Sequence, residues 1–279
     1  MAPLLLLGRV MLGEYLRNLI EHRTAEVDAI SRILMHGDRP AALRDIDQIY
    51  MLVGSQLTQA KVISEYIHGK RVVFMGDDDC MSITLAVLSE TIGLSTRAAH
   101  TTVLDFDERV LQFVEQMRDE HGISSDDFEI VRYNVKDPLP EHLVEKADIF
   151  YTNPPYGFSN AGGSARIFLG RCMELCMRHR SRGIAILPHN MEHEKAGLAM
   201  MRTQEFLIQH GYVVSESLRG MHQYHLDDRP NLYSGTVILD RIEYKPYEHH
   251  GREIPAAEFA RFYGSKSVDV PHYISKEPT

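Results

Sequence analysis

The 279-residue chain predicts an α/β fold, doubly wound around a mostly parallel sheet of seven strands with helices on both faces. Two observations carry this. Strand-like apolar runs alternate with helical ones between about residues 60 and 240. The first of them, Arg71-Val72-Val73-Phe74-Met75, ends in Gly76 and opens through Asp77-Asp78-Asp79 into a helical stretch that includes Ser82 to Leu88. A buried strand that ends in glycine before a helix is where such folds seat a nucleotide-like ligand, outside the carboxyl ends of the strands.

In chain order, Tyr15, Leu16, Leu19 and Ile20, then Val27, Ile30, Ile33 and Leu34, recur at helical spacing. They predict an N-terminal helical extension over 1–45, with Gly37-Asp38-Arg39-Pro40 breaking two helices, placed to cover the site or to form a homodimer contact. Strands are expected at 71–75, 101–105, 128–133, 147–152, 183–187, 211–217 and 234–241, within a domain spanning 46–245. The polar, proline-containing stretch 246–279 reads as a C-terminal arm.

Composition bounds the function. With 44% hydrophobic and 25% charged residues the chain has the make-up of a globular enzyme, and its formal charge of −9 disfavours a nucleic-acid surface while suiting a polycationic partner. The apolar start, residues 3–12, contains Arg9 and is too short to span a membrane. Cys80, Cys172 and Cys176 give no disulfide framework, which points to the cytoplasm; the last two, at i, i+4 spacing, predict a shared core face.

The turn after the first strand carries three carboxylates where a dinucleotide site would have glycines, so a pyrophosphate would be repelled there. A cation is favoured instead. S-adenosylmethionine carries a sulfonium, an ammonium and a carboxylate; its decarboxylated form has lost the anion and suits the acidic turn better. Gly76, Asp77 and Asp78 are therefore expected to hold this donor, with Asp79 placed for proton acceptance. The plain alternative is that Asp79 caps the helix, an interaction that stabilises by ~0.5–2 kcal/mol. At the end of the second strand, Asp105 is placed to accept from both ribose hydroxyls, and Asp107 to cap the next helix. Asn134 and Val135 end the third strand where an adenine would be read, although a loop asparagine can also satisfy its own backbone.

Asn153-Pro154-Pro155-Tyr156 follows the fourth strand and brings together the groups that hold an amine: amide and carbonyl acceptors, a proline-stiffened turn, and an aromatic face. Its competing reading is a rigid surface turn. The glycine-rich loop 157–164 then shapes the acceptor site, with Phe158 shielding it from water and Ser159 or Asn160 bonding the substrate. His189 is expected to line the pocket; its pairing with His193 is not assigned to a metal. His222, Tyr224, His225, Asp227 and Asp228 form either an acceptor-binding loop, with Tyr224 in it, or a solvated hairpin connection.

On these residues, from Asp47-Gln48 through Thr58, Gly69-Lys70, Gly76 to Asp79, Leu104 to Asp107, Asp137-Pro138-Leu139-Pro140 and Asn153 to Tyr156, the chain resembles the catalytic domain of the branched-chain polyamine synthase, or N4-bis(aminopropyl)spermidine synthase, family over roughly residues 45 to 240. The resemblance implies a class I methyltransferase-like fold and transfer of an aminopropyl group from decarboxylated S-adenosylmethionine to a polyamine. Two departures stand out: the family usually has Asp where this chain has Asn153, and an acid where it has Asn134. Asn at the first position resembles methyltransferases that act on amino or amide nitrogens. The alternatives are thus an S-adenosylmethionine-dependent N-methyltransferase of a small amine, nucleobase or protein amide, and a non-catalytic polyamine-binding protein.

Overall fold

A computed structural model describes residues 24–92, 97–189, 194–226 and 232–264. The expected helix around residues 15–20, His193, Asp227 and Asp228 lie outside the described residues. Helix α1 (Thr24–Leu34) leads through a single 3-10 turn, Arg44–Ile46, into α2 (Val53–Ile67). The doubly wound unit follows: β1 (Arg71–Met75), α3 (Met81–Ile92), β2 (His100–Asp105), α4 (Glu108–Glu120), β3 (Phe128–Arg132), β4 (Ile149–Thr152), α5 (Gly163–Leu175), β5 (Arg182–Pro188), α6 (Glu194–Gln209), β6 (Tyr212–His222) and β7 (Ser234–Arg241).

The strands order β3-β2-β1-β4-β5-β7-β6. The first five are parallel, whereas β7 runs antiparallel between β5 and β6. All seven expected strands are present. The sixth runs further than its apolar pattern suggests because register shifts at Val214/Glu216 and Leu218/His222 let it follow β7 past its apolar start. The order reverses between β1 and β4, whose ends meet in register at Met75 and Thr152, so the acidic turn and the proline turn emerge side by side.

Alternation along β1 divides the core. Val72 and Phe74 pack with α1 to α4, while Val73 and Met75 face α5 and α6. The described part of the arm is not a loose appendage, as polarity alone suggests. Tyr247, Ile254, Phe259 and Phe262 are buried in the second core. Gly170 admits the Tyr247 ring, which a Cβ there would meet at 2.4 Å. Cys172 and Cys176 are both buried in that core. Among the described residues no helix is long and apolar enough to cross a membrane.

Candidate active site

The three carboxylates after β1 point in three directions. Asp77 Oδ1 accepts from the backbone N–H groups of Met81 (2.8 Å) and Ser82 (3.2 Å), and its Oδ2 from the Ser82 hydroxyl. It is the cap of α3, so the expectation that Asp77 grips a ligand, and the alternative that Asp79 is the cap, are both corrected. The helix takes the first acid that reaches its free N–H groups. Burial pushes the Asp77 carboxyl up to about 7 against these hydrogen bonds.

Asp79 lies inward. Its Oδ1 accepts from the Met51 N–H at 2.8 Å and its Oδ2 from Asn153 Nδ2 at 2.8 Å. Gln56 of α2 donates to its backbone carbonyl at 2.7 Å. Asn153 Nδ2 donates to this carboxyl, which sets the amide with Nδ2 inward and leaves Oδ1 as the group it can offer a ligand. Asp79 therefore acts on the site through Asn153. Asp78 remains half-buried, and burial, then the charges of Asp79 and Asp105, hold its carboxyl well above the usual range. Behind the turn, Arg39 lies 3.7 Å over the Tyr50 ring and donates to the Asp78 carbonyl at 3.1 Å. Burial raises the Asp79 carboxyl as well, against the Met51 N–H and the Arg39 charge, and the same charge draws the Asp78 value partly back down.

Two adjoining cavities open at this edge. The smaller, of about 50 Å³, is lined by Gly76, Asp105, Asn134 and Val135, four of the residues expected to hold the donor, together with Phe168. Gly76 has φ +73°, and a Cβ there would meet Phe168 at 3.3 Å. The Asp105 carboxylate is aimed by two backbone N–H groups, those of Asp77 and Asp107, each at 2.9 Å; burial pushes it up to about 6. Asn134 Oδ1 accepts from the Lys136 N–H at 3.0 Å, the local turn weighed against a ligand role, and this fixes its amide in the wall. Asp107 caps α4 through Arg109 N–H.

The larger cavity, of about 610 Å³, is lined by Asn153, Pro154, Pro155, Tyr156, Phe158, Ser159 and Tyr224. Asp78 and Asn153 border both cavities, so the two turns share one site. Two expectations are corrected. Asn160 is spent on the start of α5, its Oδ1 accepting from Ser164 N–H at 3.3 Å and its Nδ2 donating to Ser164 Oγ at 3.1 Å; it lines neither of these cavities. His189 also lies outside both linings, its N–H bonded to the Tyr233 carbonyl at 3.2 Å where β5 leaves the sheet. Conversely, Arg44, Asp45 and Asp47 on the 3-10 turn and Tyr263 of the arm line the larger cavity without having been singled out as ligands. Only the aromatic spacing Phe259, Phe262, Tyr263 in a polar tail hinted at the last.

Solved structures share the fold of this chain. The branched-chain polyamine synthase from Thermus thermophilus, solved with N4-aminopropylspermidine and 5'-methylthioadenosine, superposes with a TM-score of 0.68 at 22% identity, over 84% of this chain and 69% of that one. A candidate RNA methyltransferase from Pyrococcus horikoshii superposes with a TM-score of 0.58 at 15% identity, over 78% and 99%. Both share the fold. In sequence, the N(4)-bis(aminopropyl)spermidine synthase of Thermococcus kodakarensis is 35% identical over 57% of this chain and 44% of its own length. That of Thermus thermophilus is 29% identical over 67% and 50%. The chain spans about half the length of the curated relatives it matches. The family model described as the branched-chain polyamine synthase A C-terminal domain matches residues 30–245, and the chain belongs to that family.

Proposed function

We propose that this domain transfers an aminopropyl group from decarboxylated S-adenosylmethionine to a nitrogen of a polyamine. The observation that carries the reading is the Asp79–Asn153 contact at the border of the two cavities, which turns the Asn153 carbonyl toward an amine beside the half-buried Asp78. The names of the relatives, and the polyamine and thioether nucleoside in the Thermus thermophilus complex, support it.

The wall fits such a donor. Asp105, held by two N–H groups, offers its remaining lone pairs to ribose hydroxyls; Gly76 keeps the floor open; Asp78 faces the cationic tail. Bound there, the donor supplies an electrophilic carbon next to a sulfonium and leaves as a neutral thioether. Asn153 Oδ1 and the Pro154 carbonyl orient the attacking nitrogen by accepting its hydrogens, so its lone pair is free to face that carbon. Tyr156 packs over the nitrogen, and Phe158 screens it from water. Where the nitrogen brings a proton, Asp78 receives it. A carboxylate lifted by burial is a stronger base than a solvated one.

N-methylation is the second reading, favoured by the uncharged Asn153. Incubation of the purified chain with spermidine and each donor form, followed by mass spectrometry, separates them. Mass gain of an aminopropyl group together with 5'-methylthioadenosine is expected. Methylated amine from the intact donor, and none from the decarboxylated one, would overturn the proposal.

A further inference from the structure

A continuous chain of side-chain hydrogen bonds runs inward from the larger cavity. The Tyr156 hydroxyl lies 2.6 Å from that of Tyr224, which lies 2.6 Å from Ser234 Oγ on β7. Ser234 Oγ lies 2.9 Å from Nδ1 of His222, at the end of β6, and His222 Nε2 lies 2.8 Å from Gln59 Oε1 on α2. Thr236 Oγ1 donates to the same Gln59 oxygen at 2.5 Å. His222, Ser234, Thr236 and Gln59 have no exposed surface, and Tyr224 is 9% exposed. Tyr156 and Tyr224 line the larger cavity, whereas Ser234, His222, Thr236 and Gln59 do not.

A chain that stops at a buried amide has no outlet to solvent, so it does not carry protons away. What it can do is set direction. Gln59 Oε1 is a carbonyl oxygen and accepts, which assigns the imidazole proton to Nε2 and makes Nδ1 an acceptor. The Ser234 hydroxyl then donates to Nδ1, Tyr224 donates to Ser234, and Tyr156 donates to Tyr224. Each hydroxyl has one proton, so fixing the first fixes the rest. We propose that His222 is a positioning residue whose tautomer, set by Gln59, makes Tyr156 face the larger cavity as a hydrogen-bond acceptor for the attacking amine.

The consequence is chemical. A tyrosine that pointed its proton into the cavity would bind the nitrogen's lone pair and suppress attack, while one that presents oxygen holds an N–H and leaves the pair free. The site then offers acceptors throughout: Asn153 Oδ1, the Pro154 carbonyl, Asp78 and Tyr156. Burial lowers the His222 imidazole to about 4, which keeps it neutral and able to accept at Nδ1.

The inference rests on the amine reading above, and its test has one arm independent of turnover. Nitrogen NMR of the histidine-labelled chain, with His222→Gln to assign the signal, is expected to show a neutral imidazole protonated at Nε2. A neutral ring protonated at Nδ1, as a reversed Gln59 amide would impose, or an imidazolium, overturns the inference whatever the enzyme transfers. In the kinetic arm, Ser234→Ala breaks the chain and Ser234→Thr retains the hydroxyl. The first is expected to lower kcat for the amine roughly tenfold with donor affinity by calorimetry unchanged, and the second to restore it. Unchanged kcat in Ser234→Ala, or equal losses in donor affinity and kcat that Thr does not restore, overturns it. Failure of the wild-type chain to alkylate any amine would instead sink the proposed function.

Discussion

Asn153 is useful because of its neighbour. Asp79 accepts from its amide nitrogen, which in the proposed reaction leaves the amide oxygen for the substrate. Removing the amide with Asn153→Ala is expected to lower kcat by about a hundredfold, as losing a group that orients the reacting atom does, while the melting temperature stays close to wild type. Asp78→Asn tests the one acid of the turn that borders both cavities. Calorimetry is expected to show weaker binding of the decarboxylated donor, whereas Asp77→Asn, altered at the helix cap, is expected to change melting temperature more than affinity. At this scale the residue types were legible in the sequence but their division of labour was not. Three adjacent aspartates read as one charged patch; only the path of the backbone decides which caps α3, which holds Asn153 and which faces the cavity.

At the scale of elements, the β1 tip depends on a left-handed glycine. Gly76→Ala puts a Cβ at φ +73° and 3.3 Å from Phe168, and is expected to destabilise by about 1–2 kcal/mol and to weaken donor binding, read by chemical denaturation and calorimetry. The strand pattern gave away the sheet because short continuous apolar runs and glycine-ended turns are local features, as at Val72 to Gly76. The extension of β6 past residue 217 was hidden, since its exposed edge lacks apolar alternation and is set by pairing with β7. Asn160 and His189 were misplaced for a related reason. Each lies in a segment adjoining the site, yet Asn160 is taken by Ser164, one turn further on at the start of α5, and the His189 N–H by Tyr233, a partner that sequence distance conceals.

Across the whole molecule, the site is closed by segments far apart in sequence. Met51 pairs with Tyr224 and donates to Asp79, while Tyr263 of the arm lines both cavities. This long-range lacing is why Arg44, Asp45 and Asp47 were not singled out as ligands, although the extension was expected to cover the site, and why the arm was not read as part of it. The buried acids also tie stability to pH. Asp105 titrates at about 6 in the folded chain against an ordinary value of 3.8, so the folded state keeps a proton that the unfolded chain releases. Its contribution is present below about pH 4 and is lost as pH rises through about 6. His222, lowered to about 4, acts in the opposite sense, adding stability that is lost as pH falls through about 4. Comparison with Asp105→Asn isolates the first effect: the wild type is expected to lose stability relative to the variant between about pH 4 and pH 6, followed by thermal unfolding.

The central claim is that the acidic β1 turn selects a donor with no anion on its tail. Isothermal calorimetry of the full chain with S-adenosylmethionine and its decarboxylated form measures this directly. Tighter binding of the decarboxylated form, by about tenfold or more, is the predicted result, since a carboxylate beside Asp78 adds repulsion in a half-buried site. Equal affinity, or tighter binding of the carboxylated form, would contradict it.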